Sequence, residues 1–491
     1  MRSLITLLIL IAAFQLKAQE RFYKLYAGTG FDKGEDVLML PDSTFVVTGT
    51  SGSWEENAQG FLMKLDQQGN YLWSRSFGAQ ETEELKRIFY RPGMGYYMAG
   101  MSNSWSSGAY QPMLVFTDLN GEQQWIKTYD NDGWGRIHDG VMTADTGFVF
   151  VGERQVLSGA EADFFIMRVD KNGDTLWTKS WGGPGTDRLN TILKDGIDTF
   201  VVAGMAYIPD SSCQKGYILK LDGTGQNIWE DTLGHLGGYF EVLDMTQTPY
   251  GYMCAGTQQV TPTNHNYYTA MVNTEGQILN QFVFDDAVYF SNDRLQQIAY
   301  LPQQDVCAIG IQIQNATTFD SPYDINFAYA DALFGYFLSG WATTLVLNEG
   351  YDHCGNIRPT EDGGFVATGF NSIIGDGQNA LNGGSNIYVL KLDQAGGGFI
   401  QTDTVFTVQP LVGLSTQPIA NGIHLSPNPT DGLLQLDWPG SEAQVVQLQD
   451  AMGRVILFRK QSKEQQIDLK ELPAGIYFMR VANETFRVLK N

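Results

Sequence analysis

The chain has 491 residues and a formal charge of −23. So many acids disfavour nucleic acid, whose phosphates they would repel, and an anionic membrane surface. They suit an exported protein and permit cations as partners; at this length more than one domain is expected unless repeats stretch one of them.

Arg2 is followed by an unbroken apolar run from Leu4 to Phe14, with small Ala18 before Gln19. Residues 1–18 therefore read as a secretory signal peptide. The run is too short to span a bilayer. No later apolar stretch is long enough either, so no transmembrane segment is expected in the mature chain.

The mature chain is periodic. Trp73, Trp125, Trp177 and Trp229 stand 52 residues apart. Asp66, Asp118, Asp170 and Asp222 keep the same step, as do Gly69, Gly121, Gly173 and Gly225. A long fixed period means one supersecondary unit copied along the chain. A second marker, an apolar strand ending in glycine, recurs at Gly49, Gly100, Gly152, Gly204, Gly256, Gly310 and Gly369. Each unit reads as four short strands separated by turn residues. In the first unit these are EDVLML, FVVTG, GFLMKLD and YLWSRSF. The Asp-x-x-Gly turn (DQQG, DLNG, DKNG, DGTG, DQAG) needs its glycine for a positive φ. It lacks the acidic ladder of a calcium loop.

The second and third strands are apolar on both faces, so both faces must be covered. Repeated four-stranded units of this length describe a β-propeller. The expected fold is all-β: a seven-bladed β-propeller over residues 19–401, followed by a small β-sandwich sorting domain. The tryptophans would lie in the outer strands and pack between blades. Phe22–Gly28 looks like a fourth strand and should close the last blade as a clasp; Phe399–Phe406 competes for that place. The units resemble bacterial secreted propeller repeats of the Asp-Gly-Gly-Phe-Val-x-x-Gly kind, best at Glu361–Gly369. That resemblance names no activity.

Residues 402–421 have mixed polar composition with Pro410 and Pro418, and read as a linker. Residues 422–491 alternate strands with turn residues, as a small β-sandwich does. They carry three blocks: Pro427-Asn428-Pro429-Thr430-x-Gly432, Asp450-x-x-Gly453-Arg454 and Leu472-Pro473-x-Gly475-Ile476-Tyr477. In this order the blocks resemble the C-terminal sorting domain of type IX secretion cargo. The resemblance implies the type IX secretion machinery as a partner, and a protein that is secreted or held on the outer cell surface.

Cys254 and Cys307 stand two and three residues before their marker glycines, which predicts opposite faces. Cys213 and Cys354 fall in presumed loops of distant units. Free thiols are expected. No Cys-x-x-Cys or His-x-x-His spacing suggests a metal, and no cofactor is expected.

Function is expected on the long, variable loops between blades and between second and third strands. Seventeen residues before the marker glycine stand Asp32, Glu83, Gly135, Asp187, Tyr239, Asp293 and Asp352. The next position reads Lys33, Glu84, Arg136, Arg188, Phe240, Arg294 and His353. One reading has each acid accepting backbone N–H groups or pairing with the next blade. The other is a polar ring that binds a cation or a sugar. The pattern breaks in units three and five, where aromatic rings stand beside carboxylates, a combination that suits carbohydrate. The candidate ligand-binding residues are Trp134, His138, His235, Tyr239, Glu241 and His353. No nucleophile motif, phosphate loop or zinc-protease pair is present, so no catalytic residue is assigned. Two functions stay open: a secreted or surface binding propeller for a glycan or protein ligand, or a polysaccharide-degrading lyase or hydrolase on the loop-rich face. Two carboxylates, or a His with an Arg, converging in one pocket would favour the enzyme.

Overall fold

We describe a computed structural model of the chain. It describes residues 21–490 except 28–29, 54–56, 107–108, 130–132, 156–160, 210–212, 235–237, 262–263, 285–293, 314–323, 334, 336–337, 339–342, 346–349, 374–383, 394–403, 408–423, 427–429, 431, 438–443, 451–454, 462–465, 471, 474 and 482–483. The expected signal peptide and His235 lie outside the described residues. The chain divides into two units, Met1–Leu411 and Val412–Asn491. Among the described residues there is no α-helix.

The strands of the first unit form seven sheets. Six are antiparallel meanders of four consecutive strands. In blade one these are Asp32–Met39, Phe45–Ser51, Gln59–Leu65 and Tyr71–Phe77. The first strands of neighbouring blades pack on one another, and those of blades seven and one meet, so the β-propeller closes. Burial follows the sequence pattern. Gly95–Ser102, a second strand, is buried throughout, whereas the outer strand Thr175–Trp181 alternates. The cores lie between blades: Val46 and Leu62 of blade one pack with Met98 and Met113 of blade two. Each such side chain contributes roughly 1.5–3 kcal/mol of burial.

The seventh sheet uses both candidate closing segments. Its order is Gly350–Pro359, Phe365–Ile373, Ser385–Leu392, Phe22–Ala27 and Thr404–Thr407. The N-terminal strand takes the fourth place, antiparallel, with Phe22 opposite Lys391. Thr404–Thr407 adds outside it in parallel, with Lys24 opposite Thr404. The first unit thus extends past residue 401 into the segment expected to be linker.

The tryptophan period has a physical cause. Each outer-strand aromatic lies over the Asp-x-x-Gly glycine of the next blade: Trp73 over Gly121, Trp125 over Gly173, Trp177 over Gly225. Phe22 lies over Gly69 in the same way, and Tyr26 donates to the Gly69 carbonyl as Tyr129 does to that of Gly173. The aspartate of the turn accepts backbone N–H groups; Asp66 takes those of Gln68 and Asn70.

Every first strand carries a β-bulge, at Glu35, Lys86, His138, Asn190, Leu243, Gln296 and Gly355. The residues just after the bulges are Asp36, Arg87, Asp139, Thr191, Asp244, Gln297 and Asn356. Acids on blades one, three and five each accept a backbone N–H from the next blade: Asp36 from Ile88, Asp139 from Ile192, Asp244 from Ile298. Arg87 and Thr191, on blades two and four, donate to the acids of blades three and five. An alternation of acid and donor cannot close on an odd ring. Asn356 stands at the seam, where its amide donates to Asp36 and its oxygen accepts from Ile357.

The pairing also corrects two expectations. The first hairpin of blade five is one residue short, so the positions equivalent to Asp32 and Lys33 are Phe240 and Glu241, not Tyr239 and Phe240. In blade six Ile311, not Gly310, takes the marker's place. Cys254 and Cys307 therefore face the same way, into different inter-blade layers. Cys354 is buried on a first strand, not in a loop, and all four cysteines are free.

The second unit has a three-stranded sheet (His424–Ser426, Leu433–Asp437, Gln466–Asp468) and a four-stranded one (Val455–Gln461, Gln444–Asp450, Gly475–Val481, Glu484–Lys490). Leu434 and Ile467 of one share a core with Val446, Leu448 and Met479 of the other, as in a sandwich. Gly432 turns at φ 131°, and the Tyr477 hydroxyl donates to the Pro473 carbonyl at 2.8 Å. Pro427, Asn428, Pro429, Gly453 and Arg454 lie outside the described residues.

Candidate functional site: the loop-side mouth of the channel

The acids that begin the first strands are occupied within their own blades. Asp32 accepts from the Ser51 and Ser53 hydroxyls at 2.5 and 2.6 Å, and Glu83 from Ser102 at 2.6 Å. Asp187 accepts the N–H groups of Gly183 and Tyr207. Burial pushes the Glu83 and Asp187 carboxyls up, against these bonds. These three acids pin the loop ends.

The neighbouring position and the bulge bring different groups together between blades. Lys86 pairs with Glu35 at 2.7 Å and with Glu84 at 3.4 Å. Burial works to raise the Glu35 carboxyl, but Lys86, His353 and Lys33 outweigh it and hold it below the usual range. Arg188 grips Glu241 through Nε at 2.9 Å and its terminal nitrogen at 2.8 Å, and Asn190 donates to the same oxygen. His138 stands 3.4 Å from Glu153. The Arg136 guanidinium lies 5.1 Å from the ring centres of both Trp134 and Tyr110, and Trp134 donates to Gln155. Tyr239 donates to the Met205 sulfur at 3.2 Å, and burial raises its phenol to about 12.

A cavity of about 420 Å³ lies where blades seven, one and two meet. It is lined by Phe31, Lys33, Glu35, Lys86, His353, Phe370 and Ser372. The His353 ring stacks on Phe370 with centres 5.3 Å apart and planes at 9°. Burial lowers its pKa to about 4, so the imidazole is neutral at pH 7.

The five described candidates therefore do not share one pocket. Trp134 and His138 lie on blade three, Tyr239 and Glu241 on blade five, and His353 in the cavity at the seam. Phe31, Lys33, Glu35, Lys86 and Phe370 were not among them. A signal was present, since the bulge position reads Glu35, Lys86, His138 and Asn190 in the first four units. Among the described residues Glu35 is the one carboxylate lining this cavity. A second cavity, of about 510 Å³, lies at the opposite end of the first strands beside Leu193, Tyr300, Pro302 and Pro359. No group of three or more His, Cys, Asp or Glu among the described residues could hold a metal ion.

A family model for the secretion system C-terminal sorting domain matches residues 424–491. The tail is a type IX secretion C-terminal sorting domain. Such a domain marks secreted or outer-surface proteins, and this chain is one of them. No helix among the described residues is long and apolar enough to cross a membrane. No curated protein sequence matches the chain. Solved structures similar to it include the Pan2 WD40 domain of Neurospora crassa, at 11% identity, covering 76% of this chain and 91% of that one, with a TM-score of 0.44. A periplasmic gluconolactonase of Pseudomonas aeruginosa matches at 12% identity, over 63% and 83%, with a TM-score of 0.43. The extracellular domain of a putative hybrid two component system from B. thetaiotaomicron matches at 11% identity, over 95% and 58%, with a TM-score of 0.41.

Proposed function

We propose that the protein is a binding propeller, exported behind a cleaved signal peptide, whose glycan ligand seats at the loop-side mouth of the channel. The observation that supports this most is the state of the mouth's carboxylates. Glu241 is clamped by Arg188 and Asn190, and Glu35 is held ionised by Lys86. A glycosidase needs two carboxyl groups facing one bond, one of them protonated. The seam cavity offers a single ionised acid beside aromatic and cationic groups, which suits recognition of hydroxyls and ring faces.

The test is a glycan-array screen of the secreted protein, run beside an assay for new reducing or unsaturated chain ends. Binding without cleavage is expected. Trp134→Ala or Tyr239→Ala should weaken it by about tenfold, the loss of one stacking contact, with the melting temperature nearly unchanged. Cleavage that disappears on Glu35→Gln or His353→Gln would overturn the reading in favour of a polysaccharide-degrading enzyme.

A further inference from the structure

We infer that the cavity between blades seven, one and two captures the carboxylate of an acidic sugar, so that the ligand is a uronate-containing polysaccharide. This rests on the reading of the mouth as a glycan site and goes further by naming the class of glycan.

The chain carries a formal charge of −23, yet its loop-side mouth gathers Lys33, Lys86, Arg136, Arg188 and Arg294. Internal pairing uses two of these. Lys86 is held by Glu35 and Glu84, and Arg188 by Glu241. Among the described residues Lys33, Arg136 and Arg294 have no carboxylate oxygen within 4.0 Å. Of the three, Lys33 lines the cavity.

The Lys33 ammonium lies 4.8 Å from the ring centre of Phe31 and 5.7 Å from that of Phe370. Two rings draw the charge to one place and partly strip its water. Phe31 is 46% exposed, a large apolar ring left open beside a cation. Phe370 carries the neutral His353 imidazole stacked on it, and that ring can both donate and accept hydrogen bonds. Ionised Glu35 completes the wall as an acceptor.

Each part answers to one feature of a uronate. The open ring offers a face to the sugar's C–H groups. The ammonium meets the carboxylate, and the imidazole and Glu35 meet hydroxyls. A neutral sugar would leave the ammonium uncompensated, and an acidic peptide would leave the ring face unused. The cavity of about 420 Å³ is within the range of small-ligand sites. The acids elsewhere on the surface do not forbid an anion here, because fields beyond about 8 Å are screened at physiological salt.

The test is calorimetric titration of the secreted full-length protein with three probes: a short oligogalacturonate, a neutral galactan oligomer of equal length, and a poly-glutamate peptide. The uronate should bind at least about tenfold more tightly than either other probe, and more weakly as salt rises. Lys33→Met and Phe31→Ala should each weaken it about tenfold, Lys33→Arg should retain it, and all three should melt like the parent. Equal binding of the neutral oligomer, equal binding of poly-glutamate, or indifference to Lys33→Met would each overturn the inference. A neutral glycan whose binding falls on Trp134→Ala but not on Lys33→Met would sink this inference and leave the proposed function standing.

Discussion

Trp73 of blade one stands so close over Gly121 of blade two that a Cβ there would sit 2.6 Å from its ring. The same pair recurs around the propeller, and it joins outer strands that belong to different sheets. Gly121 has a φ of 78°, a left-handed conformation that side chains tolerate poorly. Gly93 has nearly the same φ, 74°, but nothing within 4 Å of its would-be Cβ. Gly121→Ala should therefore cost about 1–3 kcal/mol more than Gly93→Ala, the overpacking contribution alone. Urea unfolding of the two variants gives the difference, and equal losses would mean the tryptophan contact contributes nothing.

Closure depends on the N-terminal strand. Phe22 is buried and meets Phe45 of blade one edge-on, ring centres 5.4 Å apart. Phe22→Ala should cost about 3–5 kcal/mol. Val405→Pro, which breaks only the parallel outer pairing with Leu25, should cost much less. Calorimetry of both variants ranks them, and the reverse order would move the clasp to the C-terminal strand.

The belt of alternating acids and donors should show strong coupling. Arg87 Nε donates to Asp139 at 2.5 Å, with both side chains nearly buried. Arg87→Met leaves the Asp139 charge without its cation and should cost about 3–5 kcal/mol. Adding Asp139→Asn should restore part of that loss, because the uncompensated charge is gone. A double-mutant cycle by denaturant unfolding measures the coupling, and simple additivity would refute it.

Two buried groups should pull stability in opposite directions with pH. Burial holds His353 at about 4, below the ordinary value of 6.5. Its contribution is full above pH 6.5 and is lost as pH falls towards 4. Burial raises Asp244 from 3.8 to about 6. Its contribution is full below pH 4 and is lost as pH rises through 6. Each is worth about 3 kcal/mol across its window. His353→Gln should therefore gain on the parent as pH falls from 7.5 to 4.5, and Asp244→Asn as pH rises over the same range. Melting curves at both pH values decide, and a parallel response of the two variants would contradict the assignment.

Export should need the tail. Removing residues 424–491 deletes the sorting domain. The shortened protein should accumulate in the periplasm as a folded propeller, seen by cell fractionation. Normal appearance at the surface or in the medium would count against the role of the tail.

The repeat was legible because glycine and tryptophan meet at a fixed spacing, which their positions along the chain expose. Phe22–Ala27 was legible for the same reason, since FYKLY carries an aromatic, a cation and a tyrosine in the order of WIKTY at Trp125. The ring of bulges was not. A bulge adds one residue without changing residue type, and a shortened hairpin leaves no mark either: the first hairpin of blade five is one residue short, so counting back from Gly256 landed on Tyr239 when pairing puts Phe240 there. The seam cavity was hidden for another reason. Lys33 and Glu35 lie more than 300 residues from His353 and Phe370, and only ring closure brings them together.

The two ends of the propeller lie in one sheet, and that fixes how a pull on the chain is borne. The strand leading to the sorting domain is Thr404–Thr407, outermost and held by one parallel partner. Tension applied through the tail reaches this strand before any other. Phe22–Ala27, which pairs with Ser385–Leu392 on its inner side, carries the closure independently of it. The outer strand can peel away and leave the ring shut, as a mechanical fuse protects the circuit behind it.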